Sequence, residues 1–295
     1  MKASTDAVPP WSMAVTAMLS VQLGSALSVH LVPLIGPAGT AWLRLTMGAL
    51  IFVALARPRV RSVRRPDLPI VFGLGITTGL VTMVFLAAIE RIPLGTAAAI
   101  EFLGPLTVAA VHSHRARALA WPATALVGVV LLTEPWHGAV NAAGIAFAAL
   151  AAVGWATYIL LTQRIGDRFS GISALALTIP IAAATAAIVG VPQAAGGLSP
   201  AIVAAAIGLA VLHPVLPFTL ELLALRRMTP AAFGTLMAVE PAIGLLLGLV
   251  VLQQLPSAVQ LVGIVLVVAA GAAAQHGGER PTDGGLAQAE TDIAH

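Results

Sequence analysis

The chain has 295 residues, of which 59% are hydrophobic and only 9% charged, with a formal net charge of +3 and no cysteine. An ordinary soluble domain carries roughly a quarter of its residues charged, so this chain could not cover its own surface in water; lipid is the solvent that suits it. Without cysteine there is no disulfide, thiolate nucleophile or cysteine-ligated metal.

In a bilayer, the length accommodates about ten helical spans of roughly 20 residues each. After a short segment at 1–10, the pattern predicts spans at 11–35, 38–57, 68–89, 94–112, 118–134, 141–164, 171–190, 200–222, 229–250 and 256–275. The apolar stretch from Trp11 is preceded by one basic residue, Lys2, and no small-x-small cleavage site follows it. It is therefore expected to be a retained first helix rather than a signal peptide. Turn chemistry or charge separates the spans, as at Gly36-Pro37, Glu90 to Pro93, Gly190 to Pro200 and Gln253 to Pro256. The tail at 276–295 is Gly-rich and polar and is expected to be a disordered cytoplasmic segment.

Arginine placement sets the expected orientation. Lys2, Arg57, Arg59, Arg61, Arg64, Arg65, Arg115, Arg117, Arg164, Arg168, Arg226, Arg227 and Arg280 would share one side, thirteen of the fifteen basic residues. Only Arg91 falls on the other side, and Arg44 lies within a span. The positive-inside rule then puts both termini in the cytoplasm. It also gives the positive net charge a topological cause, so no nucleic-acid partner is expected.

A weak internal repeat is visible. Gly24, Ala26, Leu31, Ile35 and Gly36 recur as Gly154, Ala156, Leu161, Ile165 and Gly166. The hexapeptide Leu126 to Leu131 resembles Leu261 to Leu266, and Pro105 matches Pro241. Chance among Ala-, Leu- and Val-rich helices is one source of such matches; the near-constant offset favours duplication. The expected architecture is all-α, ten transmembrane helices as two five-helix repeats, 11–134 and 141–275. An odd number of spans per half requires opposite insertion, the inverted-repeat plan common in transporters. Gly75-x-x-x-Gly79 and Gly244-x-x-x-Gly248 would let helix backbones approach closely.

Charges inside the bilayer are costly, about 3 kcal/mol or more near its centre. Three stand out: Arg44, Glu101 and Glu240. Arg44 and Glu101 sit at similar depths, and two readings are open. They form a structural ion pair, or they serve the carboxylate and ammonium of a zwitterionic substrate, with Glu101 alternatively taking a coupling proton. Glu240 has no evident cationic partner and is the better candidate to carry a proton. Pro105 and Pro241 each free a carbonyl one turn earlier, so the segments around them are expected to wall a central pathway. Gln22 is mid-span and able to bond to substrate or to a helix. His213 is expected to bond to a neighbouring carbonyl, with proton relay as its functional alternative. Trp155 and Tyr158 share one helix face. Glu221 is placed near the cytoplasmic end of the eighth span, within reach of Arg226. His112-x-His114 has no nearby carboxylate or thiol partner, and no P-loop or enzyme constellation is present. No cofactor or metal is therefore expected. The expected partners are lipid, a small zwitterionic substrate and protons, with the chain a monomer or homodimer.

A family likeness rests on Pro33-Leu-Ile-Gly36, Trp42-Leu-Arg-Leu45, Ile92-Pro-Leu-Gly95, Glu101-Phe-Leu-Gly-Pro105, Trp155-Ala-Thr-Tyr158 with Gln163-Arg164, and Leu216-Pro-Phe-Thr-Leu-Glu221. Its strongest block is Ala224-Leu-Arg-Arg227 with Phe233-Gly-Thr-Leu-Met237 and Val239-Glu-Pro-Ala242. In these the chain resembles the EamA branch of the drug/metabolite transporter superfamily, and within it the bacterial threonine/homoserine exporters. The resemblance implies export of small amino acids from the cytoplasm through the inner membrane, coupled to protons, and puts Arg44, Glu101 and Glu240 in family motif blocks. One departure stands out: such proteins often carry Gly-Glu after the ninth helix, where this chain has Gln253-Gln254.

Overall fold

The computed structural model describes residues 9–57, 65–112, 119–136, 141–165, 172–225, 227, 233 and 236–276. Most of the arginines used above for orientation, His114, Arg226 and the tail beyond 276 lie outside the described residues. Within them the chain is helical: α1 Pro10–Ser28, α2 Val32–Ala56, α3 Leu68–Ile89, α4 Leu94–His112, α5 Ala120–Thr133, α6 Ala142–Ile165 and α7 Ile172–Ala194. The eighth predicted span is a broken helix, α8 Pro200–Ala210 and α9 Leu216–Leu225, joined by a π-helical turn at Val211–Val215. Then come α10 Glu240–Leu252 and α11 Ala258–His276. Six of these helical stretches are long and apolar enough to cross a membrane, and three shorter apolar helices accompany them among the described residues.

Most predicted limits agree closely with the observed helices, but the ninth span, predicted from 229, continues as α10 only from Glu240 after a turn at Ala238 and Val239, and three further limits differ. The first helix ends at Ser28 rather than at 35, because Val29, His30 and Leu31 close short i−3 bonds that turn the chain. The expected break at Gly36-Pro37 is instead a kink inside α2, where Gly36 takes φ 71°. A side chain is disfavoured in that left-handed region, and a Cβ there would lie 2.1 Å from Gln193 Cδ. Gln193 occupies the kink because it caps the restarted helix: its Oε1 accepts from Ala38 N at 2.7 Å and from Gly39 N at 3.1 Å. The third difference is α7, which runs on through Gly190 to Ala194 and so carries Gln193 to that cap.

Small residues set how closely the helices approach. The longest seam joins α2 to α7, where a Cβ on Gly190 would meet Ala38 O at 2.5 Å. Gly75 and Gly79 of α3 lie against α7, at Ile181 and Ala182. Gly244 and Gly248 of α10 face Ala98 and Leu94 of α4. The helices α5 and α11 cross at Gly128 and Gly263, each glycine lying against the other's carbonyl oxygen. Helix α1 packs on the broken helix and α10, and α6 packs on α3 and α4.

Gly36→Ala is expected to lower stability by about 2 kcal/mol or more, from left-handed strain and loss of the Gln193 cap together. Thermal unfolding in detergent should show the drop, and Gln193→Ala should reproduce only the capping part.

Candidate functional site

The helices enclose a central cavity with about 720 Å³ of empty space, counted out to its mouth. Its walls come from α1, α2, α3, α4, α6, the π turn, α9 and the stretch entering α10. Close approaches at glycines bring the polar residues in. Gly24 lets α1 lie against the broken helix, a Cβ there falling 3.1 Å from His213 Cβ, and this puts Gln22 and Ser25 on the wall. Gly48 of α2 abuts Pro214, a Cβ there falling 2.9 Å from its Cγ, and Arg44 lies one turn away. Gly104 lets α4 touch the α6 backbone at Ala152 and sets Glu101 opposite Trp155.

The break at the π turn is built by its sequence. Pro214 has no N–H to donate and His213 is extended at φ −161°, so the helical ladder is interrupted there. The Ser20 hydroxyl crosses from α1 and donates to the Leu212 carbonyl at 2.7 Å. His213 does not bond to a neighbouring carbonyl through Nδ1, as the sequence suggests; that atom is buried without a partner. The imidazole packs edge-on to Phe218, ring centroids 5.8 Å apart.

Seven of the nine residues singled out in the sequence line this one cavity: Gln22, Arg44, Glu101, Trp155, Tyr158, His213 and Glu240. Trp155 and Tyr158 meet edge-to-face with centroids 5.5 Å apart, as their shared helix face requires. Pro105 and Pro241 are not on the wall. Pro105 lies inside α4 and frees the carbonyl of Glu101. Pro241 sits in the first turn of α10, where it interrupts nothing.

The ion pair between Arg44 and Glu101 is not formed. Arg44 is 2% exposed, and its Nη1 donates to Ser28 Oγ at 3.1 Å. The two helices α2 and α4 are not packing neighbours, so equal depth does not make the side chains adjacent. Glu240 is held by Gln22, whose Nε2 donates to Oε1 at 3.2 Å. Its charge also reaches Glu101 and Glu221. Glu221 is a wall residue that the sequence reading places near the cytoplasmic end, within reach of Arg226. Its position on the helical face that carries Phe218 is the signal that could have found it. Ser25, Thr78 and Thr82 also line the cavity, their hydroxyls unremarkable in an apolar helix.

Outside the cavity, Arg91 and Gln254 are engaged in contacts within the fold. Arg91 pairs with Glu90, donates to the Ala87 carbonyl at 2.6 Å and lies 5.2 Å over the Phe147 ring. Gln254 Oε1 accepts from Leu94 N at 3.0 Å, capping α4 without a carboxylate.

The EamA-like transporter family profile matches residues 142–273. Over 277 residues the chain is 35% identical to the threonine/homoserine exporter RhtA of Salmonella typhimurium strain LT2, covering 92% of this chain and 93% of that protein. The figures for the threonine/homoserine exporter RhtA of Escherichia coli K12 are the same, 35% identity over 277 residues. One solved crystal structure superposes with a TM-score of 0.63 at 23% identity, covering 89% of this chain and 96% of that one, which shows a shared fold.

Because the protein lacks cysteine, single cysteines report on this cavity without background. Thr78→Cys, on the wall, is expected to react with a small methanethiosulfonate reagent. Ala41→Cys, fully buried in a helix seam, is expected to stay unmodified over the same time. Mass spectrometry of the intact protein reads both.

Proposed function

The chain belongs to the EamA-like transporter family, and from that premise we propose that it exports small zwitterionic amino acids of the threonine/homoserine kind across the cytoplasmic membrane. It is a multi-pass membrane protein whose relatives are transporters rather than enzymes. The observation that carries the proposal is convergence. Arg44, Glu101, Glu221, Glu240 and His213, drawn from both sequence halves, all face one central cavity. Intramembrane ionisable groups are kept where they line a substrate or ion path, and a zwitterion needs both signs of charge in one site.

The mechanism proposed is alternating access by two inverted five-helix repeats, 11–134 and 141–275, with both termini in the cytoplasm. Several features support it. The repeated glycines Gly128 and Gly263 meet each other where α5 crosses α11, as a two-fold relation between halves requires. The packing of α6 on α3 has its counterpart in the packing of α1 on the broken helix. A site at the interface of such repeats is exposed to either side as one half rocks on the other. Protons are the proposed driving ion. The charge of Glu240 reaches both Glu101 and Glu221, which makes this group of carboxyls a natural place to take up and release a proton as the cavity changes sides.

The third carboxyl and the aromatic side chains of Phe85, Trp155, Tyr158 and Phe218 on the wall favour a second reading, export of an organic cation. Arg44 in the same cavity argues against it.

Radiolabelled threonine and homoserine should leave proteoliposomes containing the protein faster when a proton gradient is imposed. A quaternary ammonium ion tested in the same vesicles separates the second reading. Glu240→Gln or Glu101→Gln should reduce gradient-driven efflux by about tenfold or more, the scale of losing one charged hydrogen bond. Absence of efflux for every small amino acid would sink the substrate assignment. Full transport by both variants across pH would remove the proton role from these residues.

A further inference from the structure

Most threonine hydroxyls in these helices are spent locally. The threonines at 40, 46, 78, 82, 178, 185 and 219 each donate to the carbonyl four residues earlier. Ser28 does the same to Gly24 at 2.6 Å. Against that background, the buried side-chain atoms left without a hydrogen-bond partner among the described residues are Gln22 Oε1, Ser25 Oγ, Arg44 Nε and His213 Nδ1. All four belong to residues on the wall of the central cavity. A buried polar atom without a partner is destabilising, and native interiors keep few of them. Four in one place mark a site whose partner is a ligand.

The four atoms sort by chemistry and by position. Arg44 Nε–H can only donate, and Ser25 O–H and His213 Nδ1–H are both able to donate. These three residues converge on one stretch of α1, residues 24–28. Arg44 reaches Ser28 on α1, Ser25 lies one turn before it, and the neighbouring Gly24 is pressed against His213. Gln22 Oε1 can only accept, and it belongs to the amide whose nitrogen holds Glu240. The unpartnered donors thus gather between α1, α2 and the π turn, and the unpartnered acceptor lies one turn away on α1, beside Glu240 of α10.

We propose that Arg44, Ser25 and His213 form a subsite for the carboxylate of the transported molecule, with the ammonium held one turn away by Glu240 and Gln22. A carboxylate offers about four lone-pair positions, enough for all three donors at once. A guanidinium contact to a carboxylate is a strong, charge-assisted hydrogen bond. This assignment rests on the exporter reading above and sharpens it. Glu240 takes the ammonium, and Glu101, turned to Trp155, is left outside the clamp.

The test is displacement of radiolabelled L-threonine from purified protein in lipid nanodiscs. Three competitors serve: unlabelled threonine, 3-hydroxybutyrate, which lacks the ammonium, and 1-amino-2-propanol, which lacks the carboxylate. Ser25→Ala and His213→Ala should each weaken threonine and 3-hydroxybutyrate by about tenfold while leaving 1-amino-2-propanol unchanged. Gln22→Leu should show the reverse pattern, weakening the two amine-bearing ligands. Melting temperature of each variant, measured alongside, confirms that it is folded. The proposal is overturned if folded Ser25→Ala binds threonine as the parent does, if it weakens the amine-only ligand equally, or if the parent binds no carboxylate at all. The two levels of inference fail separately. Threonine export with an unchanged KM in Ser25→Ala removes the subsite and leaves the exporter. A parent protein that moves no threonine or homoserine, yet binds other carboxylates through Ser25 and His213, removes that cargo and leaves the subsite.

Discussion

Hydrocarbon offers no hydrogen bonds, so each backbone and side-chain polar group within the bilayer must find its partner inside the protein. The helices meet this for most of the backbone, and threonine hydroxyls meet it for themselves by donating back to their own helix, as Thr46 does to Trp42 and Thr185 to Ile181. Where a helix is broken, a side chain from elsewhere repairs the ladder. Gln193 receives the two N–H groups exposed after Gly36, and Ser20 donates to the carbonyl beside the π turn. The repairs tie α2 to α7 and α1 to the broken helix, so satisfying the backbone also decides which elements are neighbours.

Helix association in lipid depends on close packing rather than on water exclusion, which is why small residues dominate the contacts. The same glycines that permit contact position the cavity wall. Gly24 precedes Ser25, Gly48 lies one turn beyond Arg44, and Gly104 lies one turn beyond Glu101. At each place, backbone contact on one face of a helix presents a polar residue on the adjoining face. The cavity is thus a consequence of where the helices are allowed to touch, and its polar groups stand on backbone that packing holds in place.

Most of the helices were visible in the sequence because apolar runs and loop signals are strong in a chain this hydrophobic; α3 and α4 have the limits the pattern predicts. Gln22, Arg44, Glu101, His213 and Glu240 were visible for the same reason, as polar exceptions in apolar runs. Lateral arrangement was not visible. Depth along a helix can be counted from sequence, whereas adjacency depends on packing, and the expected pairing of Arg44 with Glu101 fails on that point. Glu221 was missed because counting placed it near a helix end, while the broken helix and its packing turn it to the cavity. Ser25 carried no signal, since a lone serine in a membrane helix usually bonds to its own backbone. Only its place in the folded chain distinguishes it from Ser28, which does.

The unpartnered atoms also bear on how a carrier of this kind avoids leaking. In the alternating-access reading, the cavity must seal on both sides at some point in the cycle. A sealed state without a ligand leaves Arg44 Nε, Ser25 Oγ and His213 Nδ1 without a partner, as they are in this structure, at about 1–3 kcal/mol for each. Sealing it around a carboxylate satisfies the same donors. In that reading closure would be favoured by occupancy, because a ligand shifts a conformational equilibrium only as far as its differential interaction with the two states allows. An apolar cavity of the same size would close equally well empty, and its gradient would dissipate. The polar groups that make this interior costly to build are thus the ones that would couple its closure to its load.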